Sequence, residues 1–321
     1  MAVEMIRFLI RKLPSVAFVL LTSSVVAFAL PRLAPGNVAV TLAGTDPTAA
    51  NIAAIRRQLG LDRPLVVQYW EWMSGLFHGD LGQSYLLHRS VASLIGDRLE
   101  STVELAVFAT LLVVVIGTTL GVLAGSTRRW WARAAFDVGN SVLVAVPSFL
   151  TALALILVFG VYHRWLPVSG EVSVLHDPAI GIQYLVLPAV ALALSPAGGV
   201  ARLLQTEMAR VRNEDFVDLA LAKGASPGRI TLRHVLRNSF GTAVVAIGLE
   251  IGTLLAGAVV IEAVFNRNGL GQLAVSSVQS RDFTVLQVLI LGVVCVAVIC
   301  QIVTEIILAA LDPKIRLGDQ R

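Results

Sequence analysis

The stretch of this chain whose residue types and spacing suit chemical work is a polar one, residues 205–241, set between two long apolar segments. Within it Asp215-Phe216-Val217-Asp218-Leu219-Ala220-Leu221-Ala222-Lys223-Gly224-Ala225-Ser226-Pro227 spells a helix, a stop and a new start. Gly224 can take the left-handed conformation that ends a helix. Ser226 can cap the next helix, and Pro227 suits its first turn because no donor is needed there. The chemistry on offer is recognition rather than bond-making. Ala220 and Ala222 keep the first helix slim, and Leu221, Ile230 and Leu232 supply apolar anchors. Asp215, Asp218, Lys223, Arg229 and Arg233 form a polar rim of the kind found around interfaces. A short helix pair standing out of a membrane gives the rigid contact needed to transmit a change of state. A loop lying flat on headgroups is the plainer alternative, but such helices need a broader apolar face and fewer acids.

Bond-making chemistry finds little footing elsewhere. A phosphate-cradling loop ends in Gly-Lys-Ser or Gly-Lys-Thr, and none of Lys12, Lys223 and Lys314 follows a glycine. No nucleotide site is therefore expected. An intramembrane hydrolase needs a nucleophile and a base inside the bilayer, whereas His78, His88, His163, His176 and His234 all fall outside the apolar segments. Their spacing fits no compact metal motif either. Cys295 and Cys300 lie five apart on one presumed helix, point to different sides and read as packing residues. Glu104, Glu250, Glu262 and Glu305 sit in or beside apolar segments, where an ionisable group is costly and so becomes a candidate for a solute path. Glu250 is foremost among them. A protonated or hydrogen-bonded packing role is its alternative.

The elements that must position these residues follow from composition. Of 321 residues, 56% are hydrophobic and 14% charged, with mean hydropathy +0.79; a soluble globule carries roughly 25% charged residues. The chain reads as an integral membrane protein. Its net charge of +4 and pI near 9.4 do not point to nucleic acid, because the basic residues are scattered between apolar spans. Six segments approach the ~20 residues a crossing needs: 13–30, 103–124, 138–161, 182–204, 242–261 and 285–311. Pro147 falls inside the third of them and Pro188 and Pro196 inside the fourth, and kinks are expected there. Arg7, Arg11 and Lys12 precede the first span; Arg128, Arg129 and Arg133 follow the second; more basic residues separate the fourth from the fifth. That side is read as cytoplasmic, with both termini inside. The N-terminus also has the look of a signal peptide, with Ala27-Phe28-Ala29 as a cleavage-like site, and the remaining topology is the same either way.

The predicted organisation is a membrane helix over 1–30, an outer helical segment over 31–98, a five-span core over 99–311 with the polar loop 205–241, and a tail over 312–321. In the outer segment Asp46 and Pro47 predict the start of a helix that Gly60 ends. A second helix follows Pro64, with Tyr69, Trp70, Trp72 and Phe77 as a membrane-surface layer. Gly117, Gly121 and Gly125, like Gly248 and Gly252, recur every fourth residue and predict close helix approach, inside the subunit or, as the alternative, against a second membrane subunit.

With these pieces in place the chain resembles the permease subunits of ABC importers. Their cytoplasmic loop motif, Glu-Ala-Ala, three residues, then Gly, is met by Asp218-Leu219-Ala220 and Gly224. Ala222-Lys223-Gly224, His234 and Arg237-Asn238 are similar to the dipeptide and oligopeptide branch. So are Leu59-Gly60-Leu61-Asp62-Arg63-Pro64, Gly79-Asp80-Leu81-Gly82, Pro147-Ser148-Phe149, Glu262-Ala263-Val264-Phe265, Gly269-Leu270-Gly271-Gln272-Leu273 and the tail Leu311-Asp312-Pro313-Lys314. Phe216 stands where tyrosine is common, Leu219 replaces the second motif letter, and Asn268 replaces a usual proline. The resemblance implies an all-α, polytopic type I importer permease with six transmembrane helices, a cytoplasmic coupling helix pair and an outer N-terminal helical loop. It implies ATPase coupling through Asp215, Asp218, Ala220, Lys223, Gly224, Ser226, Pro227, His234, Arg237 and Asn238, and a substrate path near Pro147, Ser148 and Glu250. No cofactor is expected in this chain, with ATP and Mg held by partner subunits. The implied partners are a second homologous permease, two ATPase subunits or domains, an extracytoplasmic solute-binding protein and the lipid bilayer. The cargo expected is di- or oligopeptide, with nickel, glutathione or haem as alternatives on the same architecture. A proton-driven carrier would also use buried acids and broken helices, but has no need of the protruding loop.

Overall fold

Long apolar runs with few breakers give long helices, and the computed structural model of the chain is built from them; it describes residues 2–33, 38–43, 48–127 and 129–311. In order they are α1 (Ala2–Leu33), α2 (Val38–Leu42), α3 (Ala49–Gln58), α4 (Leu65–Phe77), α5 (Val91–Leu112), α6 (Thr118–Ser126), α7 (Trp130–Ala145), α8 (Ser148–Leu155), α9 (Pro178–Arg212), α10 (Asp215–Ala222), α11 (Pro227–Arg229), α12 (Leu236–Val264), α13 (Leu270–Ser280) and α14 (Phe283–Leu311). Short π-helical stretches join α5 to α6 (Val113–Gly117), extend α8 (Ile156–Tyr162) and join α11 to α12 (Ile230–Val235). Five of the resulting rods are long and apolar enough to cross a bilayer, and the bent pair α7 and α8 makes a sixth.

That pair corrects the expectation of one continuous third span over 138–161. The two helices meet at 96°. Pro147 offers no amide to α7 and drives the residue before it out of the helical region, so Val146 is extended (φ −82°, ψ 118°) and the helix stops. Pro188 and Pro196 behave otherwise: α9 runs unbroken through both. It starts where Asp177 Oδ1 accepts the Ile180 amide at 3.1 Å with Pro178 in the first turn, earlier than the apolar run suggests. In α9, 67% of the most apolar window is buried, against 17–28% in the other four rods, so α9 is the central helix of its unit.

The chain divides into two compact units: Met1–Ser101 with Asn268–Val298, and Thr102–Arg267 with Ile299–Arg321. In the second, α6, α7, α8, α12 and the π-helical stretch after α5 all pack on α9. A Cβ at Gly117, Gly121 or Gly125 would lie 3.0 Å from the side chains of Val200, Leu204 and Met208 respectively, so the glycine ladder serves contact within the subunit, as its spacing predicts. Within the first unit, Val91, Leu94, Leu273, Val285, Val288 and Leu289 form the apolar cluster. Phe28 stacks edge-on against Tyr69 at 5.4 Å, while Trp70 and Phe77 remain exposed. The cap of α3 is Thr48, whose hydroxyl accepts the Asn51 amide at 3.3 Å. Asp46, Pro47, Arg128 and the tail motif around Lys314 lie outside the described residues. Gly60, with φ +67°, ends α3 as expected. Arg98 Nε donates to Asn268 Oδ1 at 3.1 Å, tying the turn in which asparagine stands in place of proline.

Candidate functional site

α10 is short, eight residues, and by itself could not persist in water. Packing holds it. Val217 enters an apolar cluster with Leu204, Met208, Val211, Ile230, Val235 and Ala243. Asp215 and Asp218 sit in the first turn, where the helix dipole favours acids. The helix ends in a Schellman turn: the Ala225 amide donates to the Ala220 carbonyl at 3.1 Å and the Gly224 amide to the Leu221 carbonyl at 2.9 Å, with Gly224 at φ +78°. Ala220 and Ala225 are partly buried against the cluster, which is the apolar contact that usually accompanies this turn. A Cβ on Gly224 would meet nothing within 4 Å, so only the backbone conformation demands glycine there.

Three details differ from the sequence reading. Ser226 sits at the start of α11, but its side chain makes no capping bond; its backbone carbonyl accepts the Ile230 amide at 3.0 Å instead. The helix after Pro227 is not short. It continues through the π-helical stretch into α12 as one rod, Pro227–Val264, so the knuckle is one short helix folded against the extension of a span. Ile230 is no exposed anchor: it is 5% exposed and fills the cluster beneath α10. The apolar residues that do face outward are Phe216, Leu219, Leu221 and Leu232. Phe216 and Leu219 were legible in sequence only as motif departures, and their exposure follows from Val217 taking the buried face.

Around this patch Asp215, Asp218, Lys223, Arg229, Arg233, Arg237 and Asn238 are exposed and His234 is half-buried, with Asn238 Nδ2 donating to the His234 carbonyl at 2.6 Å. Sequence reasoning missed the fastening at the end of α9, where Arg210 bridges Glu207 and Glu214, each at 2.7 Å. It also missed a part-buried link between α7 and α9, in which Gln205 Nε2 donates to Asp137 Oδ1 at 2.7 Å. Acids and amides spaced three or four apart at helix ends were the available signal.

The acids in the spans separate into two groups. Glu250 lies mid-way along α12 with its carboxylate over Gly199 of α9; a Cβ there would stand 2.9 Å from Oε1. Pro147 and Ser148 stand at the α7–α8 bend, and α8 packs against both α9 and α12. Glu104 and Glu262 belong instead to a joint around Arg267, which is 1% exposed. Arg267 Nη2 lies 3.6 Å from Glu171 and 3.8 Å from Glu104. Glu104 Oε1 also accepts the Val174 amide at 2.8 Å and the Ser173 hydroxyl at 3.0 Å, and Thr102 donates to Glu262 at 2.7 Å. Burial pulls the Arg267 pKa below the ordinary arginine value, and Glu171, Glu104 and Glu262 pull it back up. Glu104 and Glu262 are thus engaged in structure. Among the described residues no group of three or more His, Cys, Asp or Glu side chains is arranged to hold a metal ion.

Comparison with known proteins gives a consistent set of likenesses. The family model described as binding-protein-dependent transport system inner membrane component matches residues 117–317, and that for the N-terminal part of such membrane components matches residues 5–106. A putative peptide transport system permease protein of Brucella abortus is 36% identical over 304 residues, covering 93% of this chain and 95% of that one. A probable peptide ABC transporter permease protein of Sinorhizobium fredii is 33% identical, covering 96% and 99%. A glutathione transport system permease protein of Escherichia coli is 34% identical, covering 97% and 99%. Among solved structures, a chain of the MetNI methionine ABC transporter in an inward-facing conformation matches with a TM-score of 0.58 at 18% identity, over 68% of this chain and 96% of that one; this is a likeness of fold.

Proposed function

The chain belongs to the family of binding-protein-dependent transport system inner membrane components and is a permease subunit of an ABC importer, and from that premise we propose that it forms half of a translocation path for di- or oligopeptides, driven by ATPase partners that grip the loop around Gly224. The observation that carries the reading is the outward-facing apolar set Phe216, Leu219 and Leu221 on α10, pinned from below by Val217 and Ile230, with Leu232 exposed on the π-helical stretch that follows and charged residues around them. An exposed apolar patch with a charged border is the anatomy of a docking surface. The residues that take part are Asp215, Asp218, Ala220, Lys223, Gly224, Ser226, Pro227, His234, Arg237 and Asn238. ATP and Mg belong to the partner subunits; this chain supplies the mechanical contact and no catalysis. Lys12, Lys223 and the other basic residues beside the spans put this loop and both termini on the cytoplasmic side. A second, related permease completes the path, and a solute-binding protein delivers cargo from outside.

The peptide reading is supported by the relatives from Brucella and Sinorhizobium. The glutathione relative fits the same chemistry, since glutathione is itself a small peptide. Glu250, Pro147 and Ser148 are assigned to the path: a carboxylate in the middle of one span and a helix break in another, α8 packing on α12, give polar groups where the bilayer offers none. The test is uptake of a labelled dipeptide library into proteoliposomes holding the full complex and its binding protein. Uptake should require internal or external ATP on the side of the Gly224 loop and be indifferent to a protonophore. Uptake driven by a pH gradient without ATP overturns the assignment.

A further inference from the structure

Every apolar span leaves side chains facing lipid, so exposed leucine and valine on α1 call for no special account. A concave site beside α1 does. The end of α1 and the start of α4, with the loop between α3 and α4, enclose an open groove of about 660 Å³. Val25, Phe28, Leu65 and Val66 line its apolar length, and Arg32, Gln68 and Arg56 stand at its rim. The apolar run of the first span ends at Leu30, so Arg32 lies just past it, at the depth where headgroup phosphates sit.

The two arginines are not equivalent. Arg56 Nε is 3.0 Å from Asp62, so its charge is balanced locally. Arg32 is half-buried and meets only neutral groups: Nη1 donates to the Phe28 carbonyl at 2.7 Å, Nη2 to Gln68 Oε1 at 3.3 Å, and the guanidinium lies 3.6 Å from the centre of the Phe28 ring. Among the described residues it has no carboxylate partner. Burial pulls its pKa below the ordinary arginine value, partly offset by Tyr85, yet arginine stays charged at neutral pH. A guanidinium carries five donors, and the two bonds to protein leave three. A half-buried cation without an anion, at the polar end of an apolar groove at headgroup depth, is complementary to a molecule with an acidic head and a hydrocarbon tail.

We propose that this groove holds one phospholipid, its phosphodiester on Arg32 and one acyl chain along Val25, Phe28, Leu65 and Val66. The lipid then completes the packing between α1 and α4 and supplies the missing counter-charge.

The purified full complex, examined by native mass spectrometry and titrated with phosphatidylglycerol, diacylglycerol of the same chains, and inorganic phosphate, tests this. One phosphatidylglycerol per chain should survive detergent, diacylglycerol should bind at least tenfold more weakly, and millimolar phosphate should not displace the lipid. Arg32→Gln should lower phosphatidylglycerol affinity at least tenfold, and Arg32→Lys should restore most of it. Ala29→Phe, which fills the groove and leaves Arg32 in place, should abolish retention even if the arginine variants fold poorly. Equal retention of diacylglycerol would mean an apolar crevice only. Displacement by phosphate would mean a free-anion site, and retention unchanged in Ala29→Phe would mean lipid held elsewhere; each of these overturns the proposal.

Discussion

Around Arg267 the charges are inside and the apolar groups surround them; around Gly224 the order is reversed. Both regions belong to the unit built on α9, and both join helices. The Arg267 joint sets a buried guanidinium among Glu104, Glu171 and Glu262, with the Val174 amide and Ser173 donating to Glu104 and Thr102 to Glu262. Such a buried cluster is weak evidence for net stability, but removing one member leaves the others uncompensated. It therefore fixes one geometry. The Gly224 turn spends its buried contacts on just enough anchorage, Val217 and Ile230, and leaves four apolar side chains in the open. One region turns its charges inward to its own helices, and the other turns apolar side chains outward.

The largest expected effect breaks the first side of this contrast. Arg267→Ala should cost about 3–5 kcal/mol, the usual loss when a buried charge is left unpaired, read as a large drop in thermal stability in detergent; Arg267→Ala with normal stability would mean the joint is solvated. Next, Gly224→Val should abolish substrate-stimulated ATPase activity in the reconstituted complex. It puts a β-branched side chain at φ +78°, where left-handed backbone costs roughly 1–2 kcal/mol, so the subunit should still fold and insert. Gly224→Asn should retain most of the activity, because asparagine tolerates that conformation. Full stimulation in Gly224→Val would sink the gripping role. Leu232→Ser should leave stability within about 0.5 kcal/mol, as exposed substitutions do, while weakening association with the ATPase subunit by about 1–2 kcal/mol in a pull-down titration. Equal effects on both would place Leu232 against the chain's own core. The smallest effect sharpens the contrast: Glu250→Gln should lower peptide uptake a few-fold with folded yield unchanged, and unaltered uptake would make Glu250 a packing residue.

Long-range order of this fold was legible because lipid demands it: runs of apolar residues without charge become spans whatever their partners, and composition placed five of them as single rods and the third as a span that proves to be a bent pair. The Gly224 stop was legible for a different reason, since a helix ending in Ala-Lys-Gly followed by Ser-Pro is specified locally. What was not legible depends on contacts between distant segments. Ile230 and Leu232 look alike in sequence, and only the position of α10 buries one and exposes the other. Glu104 and Glu250 look equally costly, and only Arg267, arriving from more than 150 residues away in the chain, separates them. Pro147 and Pro188 are both prolines in apolar segments; one ends its helix and the other does not, because α9 is enclosed on several sides while the α7–α8 pair is open to the surface.

The unbroken helix from Pro227 to Val264 has a mechanical meaning. At 38 residues and about 1.5 Å per residue it is a shaft of roughly 57 Å. Helical backbone, π-helical over Ile230–Val235, runs without a break from its foot under α10 to Glu250 partway up. A small tilt imposed at the foot of such a shaft becomes a sideways swing that grows with height, like the free end of an oar.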